Sequence, residues 1–172
     1  SNALNIAMEE QKKIFKGTEL KEKTLGIVGL GSIGSLVAQT AQSMGMNLIG
    51  FDPHISIDSA WRLPKEVEKA ESLEALLSMS DYVSLHVPLV EATKGLLSMD
   101  KLKHCKKGAK IINLSRGGIV DNNDIISALD KGIVSKFVTD FPTPELIKRS
   151  NSTQDVIPVS YTHLRAHETG SY

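Results

Sequence analysis

The sequence predicts an α/β fold with a doubly wound parallel sheet, and three observations carry that prediction. Short aliphatic and β-branched runs alternate with stretches of helical periodicity, as in a chain of β-α-β units. A glycine-rich turn, Val28-Gly29-Leu30-Gly31-Ser32-Ile33-Gly34, joins one such run to one such helix. Polar residues suited to ligand binding fall where the runs end, the edge at which open parallel sheets bind ligands.

Taken in order, Ser1-Asn2-Ala3 resembles the scar of a cleaved affinity tag. Leu4, Ala7, Met8, Ile14 and Phe15 then share one helical face, and Gly17 ends that helix. The face needs a partner: this domain, another lobe or a second subunit. Its exposure predicts a homodimer. Leu25-Gly26-Ile27-Val28 reads as a buried strand. In the turn that follows, Gly29 permits the tight bend, Gly31 lets a pyrophosphate reach the backbone and Gly34 lets helix and strand pack closely. Ser32 and Ile33 open the helix, whose N-terminus favours an anion. Ile33, Leu36, Val37, Thr40, Ala41 and Met44 give that helix one apolar stripe, expected to face the core, with Gly45 as its C-cap. A second run, Asn47 to Phe51, delivers Asp52 eighteen residues after Gly34, where a ribose-binding carboxylate is expected. Pro53-His54 follows it rather than a cation, so NAD is favoured over NADP.

The segment from Pro53 to Pro64 reads as a loop with a short helix at most, and Trp61 as a packing anchor. Leu73, Leu76 and Leu77 mark a helix that Asp81 terminates, before a strand from Tyr82 to Val87 that Pro88 stops. His86, at that strand's end, reads as a structural or cofactor-wall residue rather than a catalytic one. Ser98 is placed to cap a helix running through Leu102 to Cys105, closed by Gly108. The next strand, Ala109 to Leu114, delivers Ser115-Arg116-Gly117-Gly118, and the planar fork of Arg116 suits a substrate carboxylate. Asp121 caps a helix with Ile125, Ile126 and Leu129 inward. A strand from Lys136 to Thr139 delivers Asp140, and a last short one runs between Asp155 and Val159.

Composition narrows the function classes. With 172 residues, 41% hydrophobic content and no net charge, the chain suits one well-cored domain. No apolar run approaches the ~20 residues that span a bilayer, and no signal peptide precedes the fold, so a soluble, cytoplasmic protein without membrane partners is expected. The single Cys105 rules out an internal disulfide. No basic stripe with stacking aromatics suggests nucleic acid, and Lys103, Lys106 and Lys107 read as a solvated helix end.

With Gly29 to Gly34, Asp52, His86-Val87-Pro88-Leu89, Asn113-Leu114-Ser115-Arg116-Gly117-Gly118 and Asp140 in order, the chain resembles the D-2-hydroxyacid dehydrogenase family over residues 4 to 159. The resemblance implies a Rossmann domain that binds NAD and a parent enzyme that moves hydride between NAD and a small 2-hydroxy or 2-oxo acid. Asp52-Pro53-His54-Ile55-Ser56 with Trp61, and Val138-Thr139-Asp140-Phe141-Pro142, most resemble the branch acting on 3-phosphoglycerate in serine biosynthesis. Reductases of hydroxypyruvate, glyoxylate or D-lactate are the nearest alternative, and a dinucleotide-sensing corepressor-like module is an alternative of another class. By resemblance, Pro53, Val87, Pro88 and Thr93 line the adenosine and pyrophosphate side, with Ser115 also against the cofactor. Arg116 binds the substrate carboxylate and reacting oxygen, and Asp140 holds the nicotinamide carboxamide. Glu145 matches the glutamate that raises the pKa of the family's catalytic histidine, though it also reads as a solvated acid in a Pro-rich loop.

Two departures accompany the match. The family's Pro-His would fall at positions 160 and 161, where this chain has Ser160-Tyr161, and residues 160–172 read as a foreign tail. His163 and His167 stand four apart without the intervening glutamate of a zinc helix, so no metal is expected. The family's substrate lobe, built from segments on either side of this domain, is likewise expected to be absent from this chain. The expected organisation is a tag remnant and leading helix at 1–16, the NAD-binding domain at 17–159 and the tail at 160–172, with little turnover from this chain alone.

Overall fold

The structure, a computed structural model, describes residues 19–159. The leading helix, the tail with Ser160-Tyr161, and both His163 and His167 lie outside the described residues.

Apolar runs at the centre of a parallel sheet need neighbours on both sides. β1 (Thr24–Val28) finds them in β2 (Asn47–Phe51) and β4 (Tyr82–Leu85). β3 (Val67–Lys69), β5 (Ala109–Asn113), β6 (Val134–Thr139) and β7 (Val156–Pro158) complete a seven-stranded sheet in the order β3-β2-β1-β4-β5-β6-β7, with every pair parallel. The order reverses between β1 and β4, the topological switch point of a doubly wound sheet. Val28 is in register with both Phe51 and Leu85, so the residues following these three strands emerge side by side.

Right-handed crossovers put α1 (Ser32–Ser43) and α2 (Ile57–Arg62) on one face, because the chain then moves towards β3. They put α3 (Leu73–Met79), α4 (Met99–Leu102), α5 (Asn122–Asp130) and α6 (Pro144–Thr153) on the other, where the chain moves towards β7. Val28, Leu76, Leu85, Ile111 and Phe137 centre the core on this second face, and Leu25, Ile27, Ala38 and Leu48 centre a smaller one under α1. Ser72, Asp121 and Thr143 accept hydrogen bonds from first-turn amides of α3, α5 and α6, satisfying donors that a helix cannot pair internally.

Several expectations are corrected. α1 buries Gly34, Ser35, Ala38 and Ala41, while Ile33, Leu36 and Met44 of its large apolar stripe lie exposed. A Cβ on Gly34 would stand 2.0 Å from the Gly29 carbonyl oxygen, so the helix sits too close for large residues on its inner side. Trp61 is 84% exposed on α2 and anchors nothing. The Ser98 hydroxyl makes no cap bond; Asp124 Oδ2 accepts from the Met99 amide at 2.7 Å instead. α3 ends at Met79 with Ser80 as its extended cap, and the Asp81 carboxylate accepts from the Thr24 amide at 2.9 Å and pairs with Lys106 at 2.7 Å. β3 is an unexpected strand. α6 replaces the Pro-rich loop around Glu145, with Thr143 as cap and Pro144 in its first turn. Arg149 on α6 grips Asp155 through Nε and Nη2, at 3.0 and 2.7 Å, and Asp130 through Nη1, fastening the last strand to the domain.

Gly34→Ala should lower stability by about 1–3 kcal/mol through overpacking, read as a shifted urea midpoint with unchanged slope. Burial pushes the Cys105 thiol up to about 11, so Ellman's reagent at pH 8 should leave it unmodified until denaturant unfolds the protein.

Candidate dinucleotide-binding site

The switch point is built from backbone. Gly29 takes φ +91°, and a Cβ there would lie 2.6 Å from the His86 carbonyl oxygen, so the turn from β1 into α1 admits no side chain. Gly31, the N-cap of α1, has no side-chain cap, and the first turn holds no acidic residue. The amides of Ser32, Ile33 and Gly34 therefore lack intrahelical acceptors at the positive end of the helix. A Cβ on Gly31 would meet nothing within 4 Å. That open space in front of unpaired amides fits a pyrophosphate.

Asp52 borders the cradle. Its Oδ2 accepts from the Leu30 amide at 2.8 Å and its Oδ1 from the His54 amide at 2.9 Å. Each carboxylate oxygen has a second lone pair, so the group ties the glycine turn to the end of β2 and still suits a ribose diol. Exposed Pro53 follows directly.

On the other side of the cradle, the His86 amide donates to the Val28 carbonyl at 2.7 Å, and its Nε2 lies 2.8 Å from Ser84 Oγ. Burial holds its pKa below the ordinary histidine value, favouring the neutral ring, which suits a wall and not a proton donor. Val87 stands against Gly29. Thr93 Oγ donates to the Pro88 carbonyl at 2.5 Å and accepts from the Val90 amide at 2.9 Å, folding the loop after β4.

Two buried polar residues, to which the sequence reading gave no role, shape the far end. Asn113, 2% exposed, donates from Nδ2 to the Arg116 carbonyl at 2.9 Å and accepts from the Ser115 amide and hydroxyl, so it closes the turn that carries Arg116. Thr139, 1% exposed, accepts from the Phe141 amide at 3.0 Å and folds the chain around Asp140. A polar residue closing an apolar strand is the signal that could have found both. Arg116 is exposed, its Nη1 donating to the Ser115 carbonyl at 2.7 Å. Glu145 is exposed in the first turn of α6, where the helix dipole favours a carboxylate.

The structure thus brings Asp52, the glycine cradle, His86 to Pro88, Ser115-Arg116 and Asp140 onto the carboxyl edge of five adjacent strands. Four strand spacings give that row a span of ~19 Å. Glu145 opens the helix beyond it, and the position of the expected histidine falls outside the described residues. No group of acidic, histidine or cysteine side chains among the described residues could hold a metal ion, and no described helix is long and apolar enough to cross a membrane.

Comparison with known proteins agrees with this geometry. Human D-3-phosphoglycerate dehydrogenase is 41% identical over 140 residues, covering 78% of this chain and 25% of that protein. The apo structure of Escherichia coli D-lactate dehydrogenase matches with a TM-score of 0.74 and 30% identity, over 83% of this chain and 45% of that one. The NAD-complexed D-isomer specific 2-hydroxyacid dehydrogenase of Lactobacillus delbrueckii ssp. bulgaricus matches with a TM-score of 0.74 and 26% identity, over 85% and 47%. The chain spans about a quarter of the length of the curated relatives it matches. The profile of one family covers residues 3–164, and the chain belongs to that family, the NAD binding domain of D-isomer specific 2-hydroxyacid dehydrogenases.

Proposed function

We infer that this domain holds NAD along the row from Asp52 to Asp140, within a parent enzyme that interconverts a 2-hydroxy acid and its 2-oxo acid. The observation that carries the reading is the uncapped first turn of α1 facing open space at Gly31, beside a carboxylate at the end of β2. Amides of Ser32, Ile33 and Gly34 receive the pyrophosphate, with Gly29 and Gly31 giving it room. Asp52 and Pro53 receive the adenosine ribose, and the Asp52 charge repels a 2′-phosphate. His86, Val87, Pro88 and Thr93 wall the cofactor, while Ser115 and Asp140 flank its nicotinamide end. When bound, NAD supplies the hydride acceptor or donor.

Arg116 is the catalytic residue of the described part: its guanidinium grips the substrate carboxylate and polarises the reacting oxygen. Glu145 is a positioning residue, acting through the histidine expected to follow the last strand by raising that imidazole's pKa. Asn113 supports Arg116 by fixing its turn.

The substrate of the parent enzyme is 3-phosphoglycerate, at the entrance to serine biosynthesis. The relatives named D-3-phosphoglycerate dehydrogenase and the stretches around Asp52 and Asp140 support that choice, while the solved neighbour named D-lactate dehydrogenase supports D-lactate as the second reading. A cytoplasmic location and a homodimer belong to the same proposal, resting on the family resemblance.

Calorimetry should show NADH binding, with NADPH much weaker. Asp52→Ala should weaken NADH and narrow that preference, and Gly31→Val should abolish binding in protein that remains folded, since its side chain enters open space and the poorer N-cap residue costs only about 1 kcal/mol. Wild-type protein that binds neither dinucleotide would sink the cofactor assignment. In the full-length parent, Arg116→Ala should lower kcat/KM for 3-phosphoglycerate by about 2–3 kcal/mol of transition-state stabilisation with NADH affinity retained. A parent that turns over D-lactate but not 3-phosphoglycerate would move the assignment to the second reading.

A further inference from the structure

Ser84 and His86 form a polar pair on an otherwise apolar strand. Alternation along β4 sends Val83 and Leu85 into the core on one face of the sheet, so Ser84 points to the other, and His86, two residues on, follows it. Ser84 is buried, and His86 Nε2 lies 2.8 Å from its Oγ. The in-register neighbours of Ser84 are Ile27 on β1 and Ile112 on β5, whose side chains accept nothing. His86 Nε2 is the one partner the hydroxyl finds among the described residues.

The hydroxyl carries one hydrogen and the neutral imidazole one N–H, so the pair has two arrangements. With the ring hydrogen on Nε2, that nitrogen donates to Ser84 Oγ, and the hydroxyl hydrogen, buried between two isoleucines, has no acceptor. With the hydroxyl donating to a bare Nε2, both atoms are satisfied and the ring hydrogen resides on Nδ1. A buried donor without an acceptor is costly, so the second arrangement prevails. The Nδ1–H then has no partner among the described residues, on a ring that stands half exposed at the carboxyl edge. The backbone of the same residue bonds the Val28 carbonyl and packs against Gly29.

We propose that Ser84 is a positioning residue that holds His86 as the Nδ1–H tautomer, and that this N–H donates to an oxygen of the nicotinamide-side ribose of the bound dinucleotide. The proposal rests on the NAD reading above and adds to it the role of one ring nitrogen. Position selects the ribose. β4 follows β1 in the sheet, so His86 comes after the amides that receive the pyrophosphate and before Ser115 and Asp140 at the nicotinamide end. A ribose hydroxyl accepts from such a donor. No proton is transferred; the bond orients the sugar.

Long-range proton–nitrogen correlation of the imidazole rings reads the tautomer, with the His86 signals identified by their loss in His86→Gln. Ligand-free wild type should show a protonated Nδ1 and a bare Nε2. Ser84→Ala should lose that single form, and Ser84→Thr, which returns the hydroxyl, should restore it. Calorimetry then compares ADP-ribose, which carries the second ribose, with ADP, which does not. Ser84→Ala should weaken ADP-ribose by about two- to tenfold and leave ADP unchanged, and Ser84→Thr should recover the loss. A protonated Nε2 in the wild type, or equal ADP-ribose affinity in wild type and Ser84→Ala, overturns the proposal while NAD binding stands. Wild-type protein that binds neither ADP-ribose nor NADH overturns the cofactor reading, and the donor role with it, whatever the tautomer.

Discussion

The domain is organised around the close approach of the first turn of α1 to the end of β1. With no Cβ on Gly34, the helix rests against the Gly29 carbonyl, and that contact fixes what the rest of the helix can be. Its inner face narrows to Ser35, Ala38 and Ala41, its N-terminus is held at the lip of the sheet, and its large side chains turn outward. One steric constraint therefore yields both the anion-receiving amides and the apolar stripe. Asp52 completes the arrangement by bonding the Leu30 amide, which prevents the glycine turn from drifting away from β2.

The same logic recurs at the other strand ends. Arg116 and Asp140 each stand on a turn closed by a buried polar side chain, Asn113 below the first and Thr139 below the second. Buried polar atoms are costly unless bonded, and no described buried side-chain polar atom is left without a partner. The rigidity of these two turns thus resides in residues buried beneath the exposed groups. The exposed groups that meet the ligand are free to differ in charge and size.

How much of this is written in the sequence depends on how a residue does its work. Gly29 and Gly34 were legible because each meets a backbone-level requirement that few other residues satisfy, a φ of +91° at the one and a close helix-to-strand approach at the other. The strands were legible from their aliphatic runs, except Val67–Lys69, which is too short to show a period. The inward face of α1 was misread because periodicity weighs large apolar residues, whereas close packing selected small ones. Trp61 failed for a related reason: a large aromatic suggests burial, but α2 turns it to the outside. α6 carried its cap and proline in plain view, yet it buries only Leu146, so it showed no apolar stripe to read.

The two outer strands are each three residues long. β3 carries the exposed charges of Glu68 and Lys69, and β7 ends in Pro158, which has no amide to offer, while Arg149 holds its approach through Asp155. Short, charged or proline-ended borders are poor templates for another strand. The described borders of the sheet therefore disfavour growth by strand addition, even though its strands are rich in β-branched residues.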